Sequence, residues 1–476
     1  MSADVTYDVQ VWSVTRYKGK RKTSYSVRWR VAGKRFHRTF ATAKLAEAFR
    51  ATLLVASRQG TPFDLSTGAP AELAPQDGRR RVWLDHAAAF MDVKWPHASP
   101  RHRKGLAEGL VTATMAMHPE LSPEDAEKAR AALSKWAFNT AARSASIGEA
   151  EPPDDFRQAV TMLRRRSPTL DALSQPTALR PVLEALSLKL DGSPASPATI
   201  TRKRSALYSA LNYAVEIGEL PVNPMDKITW KAPTHTDEVD RRVVVNPTQA
   251  EALLDAVADI YPSLEAFFAC MYYAGLRPSE VRHLREVDLD LPADSSSWGS
   301  LHLTGSTQTA GGQWTDSGAA TEDRALKHRA RRATRTAPAP PELVAILRRH
   351  LAMFPSGVGG RLFVTRAGRA GIPVAPPFAS PQSMGIVYRV WDLARRRALT
   401  DREYASLLAK RPYDLRHAAV SLWLNAGVPA TQVAEWAGHS VNVLLRVYAS
   451  CIVGQDESSR DRVEAALRSS RRGSST

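Results

Sequence analysis

Cysteine is nearly absent from this 476-residue chain. Cys270 and Cys451 are its only two, too few for a disulfide framework or a Cys-based zinc site. A reducing cytoplasm is therefore the expected compartment. No run of 18 or more apolar residues occurs, so no membrane span is expected. The opening stretch MSADVTYDVQVWSVTRYKGK has no apolar run before a cleavage-like site, and no signal peptide is read there. GxxxxGK[ST], GxGxxG and HExxH are all missing, which argues against nucleotide-powered, dinucleotide-dependent or zincin chemistry. No cofactor and no metal are expected. Lysine is scarce: of 65 basic residues, 15 are Lys and 50 are Arg. Acid is short as well, with 48 Asp+Glu and a formal net charge of +17. That excess, with a pI of about 10.0, makes a polyanion the expected partner, with nucleic acid the first candidate and an anionic membrane surface the second.

What is present divides into blocks, expected as a multidomain chain. Residues 1–64 read as a small α+β module, a three-stranded sheet plus a helix. Tyr7, Val9 and Val11 alternate with polar residues. Tyr25, Val27, Trp29 and Val31 do the same, with Arg28 and Arg30 on the opposite face. A turn at Ala32-Gly33-Lys34 leads to a third strand from Arg35 to Phe40, and Thr42 opens a helix carrying Leu45, Phe49, Leu53 and Leu54. From Arg16 to Arg38 there are ten basic residues and no acidic one. A basic sheet of this kind fits a DNA groove, which nominates Arg28, Arg30, Lys34 and Arg35 as DNA contacts. Residues 65–81 read as an Ala/Pro/Gly-rich linker. Residues 82–224 read as all-helical, with Ser-Pro pairs at Ser99, Ser122 and Ser196 starting helices. The last helix there, near 198–217, carries Arg202, Lys203 and Arg204 in its first turns. Cations at a helix N-terminus oppose the dipole, so a phosphate backbone is the expected reason for them. Residues 225–244 read as a polar, extended linker. Residues 245–455 read as a mixed α/β, mostly helical domain with strands near 287–291, 300–304 and 333–338. A polar, basic insertion is expected at 305–332, and residues 456–476 form an Arg/Ser-rich tail.

The third block carries the candidate chemistry. In Gly275-Leu276-Arg277-Pro278-Ser279-Glu280, the glycine ends one helix and the proline opens the next. Arg277 then stands at a helix N-terminus, where anions bind, and Glu280 is within reach to buttress it. In Pro412-Tyr413-Asp414-Leu415-Arg416-His417, Asp414 is a plausible N-cap for a helix over 415–426. A helix over 429–437 ends at Gly438-His439, and Ser440 caps a helix that carries Tyr448. Helices over 415–426 and 429–437 also fit a helix-turn-helix DNA reader, although PATQVAEWA offers almost no base-reading residue.

Taken in order, Arg277, a lone lysine, Tyr413-x-x-Arg416, Gly438-His439 and Tyr448 resemble the tyrosine recombinase (phage integrase) family. GLRPSE resembles its first arginine box, and DLRH, AGHS and the following Tyr resemble its second. The resemblance spans 245–455, and more loosely the helical block as a core-binding domain and residues 1–64 as an arm-binding module. In finer placement it looks closest to integrases of actinobacterial phages and integrative elements. It implies a site-specific recombinase in a bacterial host, working at the nucleoid without metal or ATP. Arg277, Arg416 and His439 would hold the phosphodiester, and Tyr448 would form a 3′-phosphotyrosyl link. Lys327, the only lysine between residues 278 and 409, would protonate the leaving 5′-oxygen. Four protomers would act on core and arm-type sites through a Holliday junction, with a host DNA-bending protein or excision factor as possible partners. The family has His where this chain has Tyr413. A phenol is a poor proton shuttle at neutral pH, so Tyr413 is expected to orient phosphate, and the general base is left open. His417 is expected to point from a different face of its helix. A catalytically weak or inactive DNA-binding regulator of the same fold is the alternative. A type IB topoisomerase would use the same nucleophile, but has no need of a basic N-terminal module. A chromosome-dimer resolvase usually lacks an arm module.

Overall fold

The computed structural model describes residues 5–18, 23–40, 42–65, 67–70, 81–144, 151–230, 238–294, 296–326, 334–368, 371–451 and 460. It is mostly helical, with small antiparallel sheets. In the N-terminal module the strand Thr23–Val31 is central. Lys34–Phe40 pairs along one edge of it, from Val31↔Lys34 to Tyr25↔Phe40. The other edge is shared by two short strands, Val9–Val11 and Thr15–Lys18, where the sequence pattern predicts one. Val27, Trp29 and Val31 are buried against the helix Ala43–Arg58, which Thr42 caps through the Leu45 amide. Trp29 stacks on Phe36 and meets the Phe49 ring edge-on, and its indole N–H donates to the Gly68 carbonyl.

The helical block runs from Trp83–Lys94 to Pro197–Glu216. Ser99, Ser122 and Ser196 each accept a backbone N–H from the residue three positions on, with proline at the first helical position. Trp83, Phe90, Leu110, Phe138, Leu163, Leu207 and Leu211 form its core. The described parts of 225–244, residues 225–230 and 238–244, are less extended than their polarity predicts. Short 3₁₀ turns form at Pro224–Lys227 and Arg241–Val243. Met225 and Ile228 are buried with the helical core, and Val239 packs beside the C-terminal helices. Residues 231–237 lie outside the described residues, as do most of 65–81 and nearly all of 456–476.

The third block opens with Pro247–Ile260, whose start is a full Asn246/Gln249 capping box. Glu265–Tyr273 follows and is buried almost all round, which suits a helix at the centre of a core. A three-stranded antiparallel sheet orders Arg335–Ala339, Gly299–Leu303 and Leu289–Asp290 side by side. The 305–332 insertion departs from the expected polar loop. Ser306–Thr309 pairs with Thr321–Arg324 as a hairpin. Its base is fastened by Arg361, which donates to Asp323 (2.8 Å), to the Thr307 hydroxyl (2.9 Å) and to the Arg282 carbonyl (2.6 Å). Its tip reaches the helical block. Trp314 is buried there against Trp95. Arg103 donates to the Trp314 carbonyl (2.9 Å) and bidentately to Asp316 (2.7 and 3.1 Å), and Asn139 donates to the Gln313 carbonyl (2.9 Å). The polar composition of the insertion hid this because one tryptophan supplies the apolar anchor and the partners of the rest lie some 200 residues away.

Trp314→Ala should lower stability by about 3–5 kcal/mol if the cavity does not collapse. Urea denaturation measures it, and limited proteolysis should show new cleavage within 310–320.

Candidate active site

Three arginines from three distant segments meet at the end of one helix. Ala430–Ala437 stops at Gly438, which is in the left-handed conformation with φ of 66°. A Cβ there would also press on Arg335 at 3.0 Å, so glycine suits the position twice over. The last carbonyls of a helix have no partner within it and carry the negative end of its dipole. Here guanidiniums take them in succession. Arg335 donates to the Trp436 carbonyl, Arg416 to Ala437 (2.6 Å) and Arg277 to Gly438 (3.0 Å).

Each arginine is delivered by local structure. Gly275, with φ of 60°, turns the chain out of Glu265–Tyr273; a Cβ there would meet the Trp423 ring at 2.8 Å. Arg277 follows as the N-cap of Pro278–Val281. Arg416 lies in the first turn of Asp414–Asn425 and is fully buried, also donating to the Gly275 carbonyl. Asp414 is not the cap of that helix. Tyr413 is, with helical φ and ψ, and the Asp414 carboxylate instead receives the Arg411 backbone and side-chain N–H groups. Arg335 begins the strand Arg335–Ala339. It was not among the residues the sequence nominates, since an arginine opening a strand reads as exposed.

Glu280 faces all three arginines. It is 3% exposed and accepts from Arg277 (2.7 Å) and Arg335 (2.6 Å), with Arg416 at 4.0 Å. Burial raises its pKa, but Arg335, Arg277 and Arg416 outweigh that and hold it at about 2. Among the described residues, three guanidiniums against one carboxylate leave an excess of two positive charges in this cluster. Tyr413 lies against the Arg277 guanidinium.

His439 follows Gly438. Its Nε2 is 2.9 Å from Arg416 Nη2, so this nitrogen is the acceptor and Nδ1 carries the hydrogen. Burial, then Arg416, Arg277 and Arg335, lower its pKa to about 3. Arg416 Nε and His439 Nδ1 are buried without a hydrogen-bond partner among the described residues. Tyr448 ends the helix Val441–Tyr448, which Ser440 caps. It is 1% exposed. Burial pushes its phenol upward, against the Arg416 and Arg277 charges that favour the anion. Its hydroxyl is hydrogen-bonded to His417 Nδ1 at 2.9 Å. This overturns the expectation that His417 points elsewhere. His417 lies four residues after Tyr413, and side chains four apart share a helix face; comparison with adjacent Arg416 misplaces it. Burial, then Arg411 and Arg416, lower the His417 pKa to about 4.

The structure thus brings together Arg277, Glu280, Tyr413, Arg416, His439 and Tyr448, and adds Arg335 and His417. Lys327 lies outside the described residues; Leu326 before it is buried. The nominated DNA contacts divide. Arg28, Arg30, Lys34 and Arg35 are all exposed, and Arg30 and Arg35 are cross-strand partners. Lys34 is opposite Val31 instead, and its ammonium stands over the Phe36 ring. Arg202 pairs with Glu108 (3.3 Å), Lys203 donates to the Leu188 carbonyl (3.2 Å) and Arg204 stacks on Trp230 (4.3 Å). Of these three only Arg202 is exposed, and intramolecular partners account for the basic residues that the helix dipole disfavours.

Chemically, two uncompensated charges in a water-poor setting fit an anionic group with several oxygens, such as a phosphodiester, beside a phenol able to act as nucleophile. No protein-family model matches the chain, and no curated protein matches it. Solved structures do. The Tn1549 transposon integrase in complex with a circular intermediate DNA is 17% identical, covering 65% of this chain and 92% of that one with a TM-score of 0.44. The XerH site-specific recombinase bound to its difH substrate is 12% identical, covering 81% and 94% with a TM-score of 0.40. A lambda integrase dimer bound to a COC′ core site is 13% identical, covering 89% and 91% with a TM-score of 0.37.

Glu280→Gln should cost about 3–5 kcal/mol by urea denaturation, because it leaves buried guanidiniums unpaired. Acid should destabilise the fold in two stages. His417 is lowered from 6.5 to about 4, so between those values the unfolded chain binds the proton and the native one does not, and stability falls as pH drops. The Glu280 contribution is complete above its ordinary 4.5 and is lost as pH falls toward 2. Thermal melts from pH 7.5 down to pH 3 check both.

Proposed function

We propose that this chain is a site-specific DNA recombinase, an integrase that cuts and rejoins DNA at attachment sites to integrate or excise a phage or mobile element. One observation carries the reading: Arg277, Arg416 and His439 converge beside the buried Tyr448 hydroxyl, with excess positive charge and unpartnered N–H groups at the centre. Tyr448 attacks the scissile phosphorus and forms a 3′-phosphotyrosyl bond, which conserves the energy needed for rejoining. Arg277 and Arg416 stabilise the charge that develops on the non-bridging oxygens, and His439 Nδ1–H donates to one of them. Arg335 and Glu280 hold the two clamping arginines in place. Lys327 protonates the 5′-oxygen. Tyr413 orients phosphate through its place beside Arg277. Arg28, Arg30 and Arg35 contact arm-type DNA, and the helical block and residues 245–455 enclose the core site. Four protomers act on two duplexes through a Holliday junction, in the cytoplasm of a bacterial host, with a DNA-bending protein or excision factor where direction is controlled.

Tyr413 in place of a family histidine, and the 1% exposure of Tyr448, favour a second reading: a DNA-binding regulator that does not cut.

A nicked duplex built from the DNA flanking the gene separates the two. The recombinase reading expects a protein–DNA adduct that survives denaturation and is absent from Tyr448→Phe. Arg277→Ala and Arg416→Ala should each slow adduct formation by about 10²–10³-fold. Tight binding with no adduct supports the regulator.

A further inference from the structure

The geometry points to His417 as the residue that takes the proton from Tyr448, an inference that rests on the recombinase reading. Tyr448 Oη and His417 Nδ1 are 2.9 Å apart. Among the described residues this is the hydrogen bond that the phenol makes. The other basic groups of the site are engaged. His439 Nε2 is held by Arg416 at 2.9 Å, and its ring centroid stands 6.1 Å from that of Tyr448. Glu280 is shared among Arg277, Arg335 and Arg416. Tyr413 lies beside Arg277 and offers a phenol, not a base.

His417 is also held in place. The Tyr413 ring meets its imidazole edge-on at 5.0 Å, and the Tyr448 ring covers it at 5.6 Å. Tyr413 and His417 are one helical turn apart, so a base at 417 serves the same face as residue 413. Tyr413 then wedges the imidazole toward the nucleophile. The charged and titratable groups facing His417 are Arg411 and Arg416 from its own segment, Tyr413 at its helix start and Tyr448 from the neighbouring helix. Burial, and then these two cations, lower its pKa to about 4, which leaves Nδ1 able to accept from the phenol. The negative charge of a bound phosphodiester offsets those cations when the proton arrives.

In the forward step the Tyr448 O–H bond breaks and its proton passes to His417 Nδ1. The phenolic oxygen forms the new bond to phosphorus, the bond from phosphorus to the 5′-oxygen breaks, and that oxygen takes a proton from Lys327. On rejoining, a 5′-hydroxyl gives its proton to Lys327 as its oxygen bonds to phosphorus, the bond from phosphorus to Tyr448 breaks, and His417 returns its proton to the tyrosine oxygen.

The test uses the full chain and the nicked duplex, in two forms: an ordinary phosphodiester, and a 5′-bridging phosphorothiolate whose sulfur leaves without a proton. His417→Ala and His417→Asn should bind the duplex as the unmodified protein does, yet form adduct about 10²-fold more slowly or worse. Asn keeps an acceptor near the Nδ1 position and guards against a folding defect in the Ala variant. The deficit should persist on the sulfur substrate, which relieves only groups acting on the leaving atom; Lys327→Ala should recover there. Adduct formed by both His417 variants at the unmodified rate overturns the inference and leaves the recombinase reading standing. So does recovery of both variants on the sulfur substrate. No adduct from the unmodified protein overturns the recombinase reading and this inference with it.

Discussion

The third block depends on how the C-terminal end of the helix Ala430–Ala437 is neutralised. Its last three carbonyls, from Trp436, Ala437 and Gly438, would be costly to bury unpaired. Arg335, Arg416 and Arg277 satisfy them, each from a different part of the chain. Three guanidiniums so close together would repel one another, and Glu280 is the buried anion that makes the arrangement tolerable. The cluster is therefore a fold element in its own right. It joins a strand, a short helix and two longer helices, and it retains excess positive charge beside Tyr448.

That economy has consequences for the neighbours. Burial and the field of the same arginines hold the His439 pKa well below its ordinary value, and with Nε2 accepting from Arg416 its hydrogen lies on Nδ1. Tyr448 sits at the edge of the field, its phenol held up by burial but drawn down by Arg416 and Arg277. The chain entering from the helical block also touches this edge: the Val239 amide donates to the Val447 carbonyl (2.8 Å), and Ser450 donates to the Val239 carbonyl (3.2 Å). With Trp314 and Arg103, this gives the helical block two separate attachments to the third block, one at the hairpin and one at the helix that carries Tyr448.

Features set by a few adjacent residues were legible in the sequence. The Ser-Pro starts at Ser99, Ser122 and Ser196, the stops at Gly275 and Gly438, and the cap at Ser440 each depend on backbone hydrogen bonds within one turn. The alternation of Val27, Trp29 and Val31 likewise announces one buried sheet face, because a strand's side chains alternate regardless of what covers them.

Partnership across the fold was not legible, because it depends on which groups burial brings together. Arg335 is an ordinary arginine until the chain closes over it and Glu280 becomes its counter-ion. Trp314 sits in a polar stretch, and its apolar pocket is supplied by the helical block. Lys203 and Arg204 read as free cations, yet a carbonyl and an indole from other segments occupy them. His417 is the sharpest case: the helix repeat places it on the Tyr413 face, but only the packing of Val441–Tyr448 against that face brings a phenolic hydroxyl to its Nδ1. The sequence alone determined the reactive residue types and the local turns that present them, since both are short-range properties. Tertiary structure decided which charges are paired, which are spare and which imidazole meets the Tyr448 hydroxyl, since those follow from desolvation and distance between segments remote in the chain.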